Sequence, residues 1–254
     1  MKVIRTIAEL EPAPGTGLVP TMGALHDGHV ALLRAARVEN ETVVMSLFVN
    51  PAQFDEQADL DAYPRDEAGD LAIAEREGVD VVFAPAADEL YPPGFTTWVD
   101  PGDAGAEGAA RPGHFRGAAT VCLKLFNLVR PERAYFGQKD AQQAAVLKRL
   151  VRDLNTPVEI RVVPTVRDAD GLALSSRNAR LSAAERERAL GLPRALRDAS
   201  GADDPVAEAR ALLDLMHPEY VEVVDLDGAL VLAAAVRVGE TRLIDNVLLE
   251  GVIS

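Results

Sequence analysis

Cysteine is almost missing from this 254-residue chain: Cys122 stands alone, and one thiol closes no internal disulfide and builds no cysteine zinc site. A reducing compartment, the cytoplasm, is the expected location. Long apolar runs are missing too. Nothing approaches the ~20 residues a membrane helix needs. The opening "MKVIRTIAELEPAPG" scatters charges where a secretory signal needs an unbroken apolar stretch. Positive charge is scarce, 26 Lys and Arg against 40 Asp and Glu, for a net charge of −14. Such an acidic chain offers no general polyanion-binding surface, so neither nucleic acid nor a membrane is an expected partner.

What is there is an ordinary globular composition, 48% hydrophobic and 26% charged, enough for a substantial core in one large or two smaller domains. Charge is unevenly spread. Residues 101 to 180 hold 13 Lys and Arg against 8 Asp and Glu, a local +5, which leaves −19 for the remainder. A positive middle in an acidic protein suits a pocket for a small, highly charged anion, although chance clustering on a solvated face gives the same count.

Short β-branched runs alternate with helical patterns. "GLVPT", "TVVMSLFVN", "VDVVFAP", "AYFG" and "VEIRVVPT" read as strands; "HVALLRAARVEN", "DLAIAEREG", "AATVCLKLFNLVRP" and "DAQQAAVLKRLVRDLN" read as helices. Alternation of this kind predicts an α/β fold with a Rossmann-like, parallel five-stranded sheet and helices on both faces. After Pro164 the pattern changes. Ser182 and Glu185 form a capping-box signature, two helices separated by "SGADDP" follow, and three strands close the chain, one connection carrying Asp227-Gly228. The expected division is therefore a sheet domain over 1–168 and a small α+β domain with a three-stranded antiparallel sheet over 169–254. "DPGDAGAEGAARPGHFRG" reads as a glycine-rich, mobile loop.

Ligands of open parallel sheets bind beyond the carboxyl ends of the strands, so the residues just after strands matter most. In "PTMGALHDGH", Gly23 and Gly28 permit close backbone approach where a helix begins, which makes an anion site. His26 and His29 stand side by side at that entrance and can donate to phosphate oxygens. Zinc would need a third ligand from His114, His217 or Cys122; satisfied structural histidines are the third reading. In "FGQKDAQQ", Lys139 can put a point charge on a phosphate or be a solvated surface residue, and Asp140 can be a plain N-cap. One of Gln142 and Gln143 should face the strand ends. In "FVNPAQF", Pro51 bars simple helical continuation after Asn50 and can hold Gln53 over the sheet edge. In "LALSSRN", Ser175, Ser176 and Arg177 can wrap a triphosphate, or form only a polar turn.

HxGH early in such a fold, with a serine and basic loop after the last parallel strand, is similar to the nucleotidyltransferase superfamily that includes class I aminoacyl-tRNA synthetases. Five longer strings, "PTMGALHDGH", "FVNPAQF", "RPGHFRG", "FGQKDAQQ" and "DGLALSSRN", resemble the pantothenate synthetase family in order and separation, over nearly the whole chain. The resemblance implies a homodimeric, ATP-dependent, AMP-forming ligase that joins pantoate to β-alanine through pantoyl adenylate. It also implies roles for matching positions. Met22, Gly23, Ala24, Leu25, His26, Asp27, Gly28 and His29 bind ATP, with the two histidines on phosphates and His29 in an acid role. Gly137, Gln138, Lys139 and Asp140 contact the nucleotide, Val166 borders adenine, and Leu174, Ser175, Ser176 and Arg177 close over the triphosphate. Catalysis falls to His26, His29, Lys139, Ser175, Ser176 and Arg177. Gln53 and Gln143 hold pantoate, Gln53 also lying where β-alanine enters. Mg2+ comes with ATP, with Asp70 as its protein contact. Gln138 departs from the family's usual glutamate, and the carboxyl-terminal domain, a lid in the family, is shorter than usual. The competing readings are another HxGH adenylyltransferase acting on a phosphate ester and a catalytically silent nucleotide-binding module.

Overall fold

The computed structural model describes residues 1–55, 57–102 and 104–253. In chain order these form β1 (Lys2–Ile4), β2 (Thr16–Thr21), α1 (Asp27–Glu39), β3 (Thr42–Leu47), α2 (Gln57–Ala62), α3 (Glu67–Arg76), β4 (Val81–Phe83), α4 (Ala87–Leu90), α5 (Gly105–Ala110), α6 (His114–Val129), β5 (Arg133–Gly137), α7 (Ala141–Asp153) and β6 (Glu159–Val163). Then come α8 (Ala183–Ala189), α9 (Gly191–Ala199), α10 (Pro205–Leu212), β7 (Tyr220–Asp225), β8 (Leu230–Val238) and β9 (Thr241–Glu250).

The first six strands make one parallel sheet in the order β1-β4-β3-β2-β5-β6. All five expected strands are present. The sixth, β1, is only "KVI", too short to stand out, and exists because Val3 pairs with Val82 at the sheet edge. Side-chain alternation buries both faces. Leu18, Val44, Phe83, Ala134 and Phe136 face the core under α6 and α7, whereas Val19, Val43, Met45, Val82 and Tyr135 face the core under α1 and α3. Strand order reverses between β2 and β5, the switch point where such sheets bind ligands. These two strands pair only at Gly17–Arg133 and Leu18–Ala134, while β2 and β3 pair along six residues. They part toward their carboxyl ends, and the crevice opens there.

β7, β8 and β9 form the expected antiparallel sheet, with Asp227 and Gly228 both at positive φ (66° and 95°) in the first hairpin. One face of this sheet, with Tyr220, Val224, Val231, Ala233 and Ala235, joins the core under α6 and α7. The other, with Val221, Leu232, Ala234 and Val236, packs under α9 and α10. The interior is therefore continuous across residue 168. Besides the sixth strand, two sequence expectations change. The helix begun by the Ser182 capping box stops at Ala189 and restarts at Gly191, because Pro193 has no N–H to give the Ala189 carbonyl. The glycine-rich loop contains the helix α5, pinned by Glu107, whose carboxylate takes two hydrogen bonds from Arg242 on β9 (2.8 and 2.6 Å). Among the described residues no helix is long and apolar enough to cross a membrane.

Candidate functional site

The crevice between β2 and β5 holds a cavity of 220 Å³. Its walls are Met22, His26, Gly28 and His29 from the first turn; Gly137, Lys139 and Asp140 after β5; Val166, Leu174, Ser175, Ser176 and Arg177 after β6; and Gln53 and Gln143. A larger cavity of 840 Å³ shares Arg111, His114, Lys139, Asp140, Gln143, Ser175 and Arg177 with it and extends between α5 and β9. The histidine turn and the distant Ser-Ser-Arg segment thus meet. A methyl group on Gly28 would touch Leu174 Cβ at 3.9 Å.

The histidines cap α1 in place of the usual serine and glutamate. The Gly28 amide donates to His26 Nδ1 (3.1 Å), and the His26 amide donates to His29 Nδ1 (3.2 Å). A neutral imidazole that accepts at Nδ1 carries its proton on Nε2, so both rings keep an Nε2–H edge for the cleft they line. The ring centroids lie 4.1 Å apart. Burial, and then the positive field of His26, hold the His29 imidazole down to about 3; burial and Lys139 also lower His26. The structural reading of this pair is thus met by the capping contacts, which leave both Nε2 edges for the cleft. Zinc is not supported: among the described residues no three His, Cys, Asp or Glu side chains are grouped to hold a metal.

The bend before the caps runs through positive φ at Gly23 (83°) and Ala24 (52°). Asp70 from α3 holds it, accepting from the Ala24 and Leu25 amides at 3.0 and 2.7 Å while itself buried. Both carboxylate oxygens are taken up by these two backbone amides. Gly23, Ala24, Leu25 and Asp27 do not line the cavity; the first three shape the bend and Asp27 is exposed.

Opposite the bend, Asn50 orients Gln53. Its Nδ2 donates to Gln53 Oε1 (2.9 Å) and to the Gly117 carbonyl (3.2 Å), so the Gln53 NH₂ is left for the cleft. Only glycine fits at 117, where a Cβ would meet the Ala52 carbonyl oxygen at 2.0 Å. The Gln53 carbonyl accepts from Arg111 (3.0 Å) and stands 2.9 Å from His114 Nδ1. A carbonyl cannot donate, so His114 carries its proton on Nδ1 and keeps an Nε2 lone pair on the cavity side. Burial pushes His114 down to about 4. In the sequence Arg111 had no assigned role and His114 only that of a candidate third zinc ligand, although "RPGHFRG" contains both.

After β5, Lys139 Nζ donates to Asp140 (3.0 Å). Burial works against ionisation of Asp140, but the Lys139 ammonium outweighs it and holds the carboxyl below its usual range. Gln143 faces the cleft. Gln142 is buried away from it, taking the Glu107 amide (2.7 Å) and donating to Glu222. The Gln138 side chain also turns away from the cleft, donating to Asn246 Oδ1 on β9 (2.9 Å). In the last segment Ser175 caps its own turn by accepting the Arg177 amide (3.3 Å). Arg177 and Arg180 both reach Asp59 of α2 (3.3 and 3.2 Å), and Arg177 lies over the Tyr63 ring at 6.0 Å. Asp59 and Tyr63 carried no signal in the sequence.

A capped helix start, a lysine and a serine-arginine turn around the switch point of a parallel sheet define an α/β nucleotide-binding enzyme. The chain belongs to the pantoate-beta-alanine ligase family, whose profile matches residues 2–248. It is 52% identical to the pantothenate synthetase of Roseiflexus castenholzii over 98% of this chain and all of that protein. It is 53% identical to that of Corynebacterium glutamicum over 91% and 92% of the two chains. Among solved structures, pantothenate synthetase from Thermus thermophilus superposes with a TM-score of 0.91 at 44% identity, covering 99% of this chain and 100% of that one. Pantoate-beta-alanine ligase from Francisella tularensis, complexed with a β,γ-ATP compound and β-alanine, superposes at 0.81 with 36% identity and full coverage of both chains.

Proposed function

We infer that this chain condenses pantoate with β-alanine at the expense of ATP, giving pantothenate, AMP and pyrophosphate. A pantoate carboxylate oxygen attacks the α-phosphorus, the bond to the pyrophosphate oxygen breaks, and pantoyl adenylate remains. The neutral amine of β-alanine then attacks the acyl carbon, loses a proton, and AMP departs. The observation that carries this reading is the meeting of the histidine turn, Lys139 and the Ser175–Arg177 segment around one cavity that also receives Gln53 and Gln143.

In this reading the α1 amino terminus and the two Nε2–H edges receive phosphate oxygens, and Lys139 supplies a fixed positive charge. Ser175, Ser176 and Arg177 follow charge onto the departing pyrophosphate, with Val166 and Leu174 beside the base. Gln53, oriented by Asn50, and Gln143 hold pantoate, so catalysis is positioning and charge stabilisation. His29, kept neutral, acts as a hydrogen-bond donor in place of the acid that the resemblance implied. Magnesium would take its ligands from the nucleotide, because the described residues form no cage for it and Asp70 faces the backbone. A cytoplasmic homodimer divided near residue 168 completes the proposal.

The test is incubation with ATP, pantoate and β-alanine: AMP and pantothenate should form together only when both acids are present. A stable adenylylated phosphate ester, with no response to pantoate, would favour the phosphate-ester enzyme. No turnover with any acceptor would favour the silent module.

A further inference from the structure

Asn246 sits on β9, in the sheet that the sequence assigns to a lid, yet every polar atom of its side chain is committed to the turn after β5. Its Nδ2 donates to two successive carbonyls, those of Gln138 (2.8 Å) and Lys139 (3.1 Å). Its Oδ1 accepts from Gln138 Nε2 at 2.9 Å, and Gln138 Oε1 in turn receives the Thr165 amide at 3.3 Å. Asn246 is only 1% exposed. Its own backbone is equally fixed: the amide donates to Asp245 Oδ1 (2.8 Å) and the carbonyl accepts from Arg167 (3.2 Å). Arg167 also grips both Asp245 oxygens at 2.6 and 3.0 Å.

We propose that Asn246 is a positioning residue for the adenylation step, fixing from the carboxyl-terminal sheet the two peptides that carry Lys139. The proposal rests on the reading of Lys139 as the phosphate-holding lysine. The physical case is the carbonyl pair. Two adjacent carbonyls, one buried and one partly buried, aimed at one point need a donor with two hydrogens, and the carboxamide supplies them while its oxygen takes the Gln138 side-chain amide. Misplacing a reacting group by about 1 Å can cost about 100-fold in rate, and Asn246 is the side-chain anchor of the Lys139 backbone on the β9 side. The carboxyl-terminal sheet thus takes part in the chemistry by standing still.

The experiment is a double-mutant cycle on the full-length chain, read as single-turnover formation of pantoyl adenylate from ATP and pantoate, beside the separate reaction of supplied pantoyl adenylate with β-alanine. Lys139→Ala should lose adenylation, and Asn246→Ala should lose about 100-fold in the same step. The double variant should be no slower than Lys139→Ala alone. Reaction of supplied adenylate with β-alanine should change less than about threefold in Asn246→Ala, the range left to a residue outside that step. Asn246→Asp, although closer in shape, should be worse than Asn246→Ala, because it turns an acceptor toward two carbonyls.

Additive losses, equal losses in both half-reactions, or a milder Asp than Ala variant would each overturn the proposal in favour of simple packing. An unimpaired Lys139→Ala would instead overturn the reading of the lysine itself. Should the Asn246 variants fail to fold by circular dichroism, a structure of the wild-type chain with a non-hydrolysable ATP analogue decides. Asn246 must keep both carbonyl contacts while Lys139 reaches phosphate, and loss of either contact overturns the proposal.

Discussion

The two walls of the nucleotide cleft are built on different principles. The histidine wall is held by backbone: two amides on Asp70, two on the imidazoles, and α1 behind them. The Ser175–Arg180 wall is held by side chains that reach across to α2, where Arg177 and Arg180 share the partly exposed Asp59. Hydrogen bonds from partly buried amides are costly to break, while partly exposed ion pairs are worth about 0–1 kcal/mol each. Under the proposed function, the first wall would be a fixed cradle for charge, and the second would exchange Asp59 for a triphosphate at Arg177.

The most damaging way to break this contrast is Asp70→Ala. It strands two amides beneath the bend, and at about 1–3 kcal/mol for each unsatisfied group, urea unfolding should show a loss of about 2–6 kcal/mol. Adenylate formation should fall by more than about 100-fold as the bend relaxes. A near-normal enzyme would mean that the bend is held by something else. Next in size is Gly28→Ala, whose methyl would stand 2.8 Å from His26 Cε1 and 2.9 Å from its Nδ1. The ring must move, and single-turnover adenylation should drop about 100-fold with little change in the thermal midpoint.

The walls should also separate by pH. His29, with its folded pKa lowered to about 3, contributes stability that is complete above the ordinary histidine value and is lost as pH falls below it. Urea unfolding between pH 6.5 and 4.5 should therefore weaken, by up to about 1.4 kcal/mol per pH unit for each such imidazole. His29→Asn should flatten that slope; an unchanged slope would show that the ring is not buried in its neutral form. The histidine pair then confers acid sensitivity on the fold, and not the titration near neutrality that an ordinary imidazole would give. At Asp59 burial opposes ionisation, but Arg177 and Arg180 outweigh it and lower the pKa. Its contribution persists above the normal carboxylate range and fades only as pH drops through the lowered value. The smallest effect is expected for Asp59→Asn. Freeing Arg177 from its carboxylate should lower the KM for ATP about twofold to fivefold, the scale of one partly exposed ion pair, in steady-state assays. A rise in KM would mean that Asp59 positions Arg177 for the nucleotide.

Much of the cavity lining was legible because it lies on contiguous strings at strand ends: "HDGH", "GQKD" and "SSRN" each place residues on its wall. The residues that support them were not legible. Asn246 and Asp245 sit in "TRLIDNVLL", and Asp59 sits in a short acidic stretch, so local spacing names no partner for any of them. A polar pair inside an otherwise apolar strand was the available signal, and its burial at 1% and 2% is what gives it meaning. Gln138 was illegible for the same reason, since adjacency to Lys139 does not reveal that its side chain reaches Asn246 on β9.

The alternation of short β-branched runs with helical patterns determined the parallel sheet and its covering helices, and the run of strands without intervening helices determined the closing antiparallel sheet, because each element's pattern is written in its own segment. The glycines and polar residues after each strand determined which turns could meet a phosphate. Tertiary structure alone decided that the carboxyl-terminal sheet shares the main core and holds the Lys139 turn, that Asp70 supports the bend, and that neighbouring glutamines take separate duties. Those outcomes depend on which buried donor finds which acceptor from a distant part of the chain, and satisfaction of buried polar groups is a property of the packed molecule and not of any local segment.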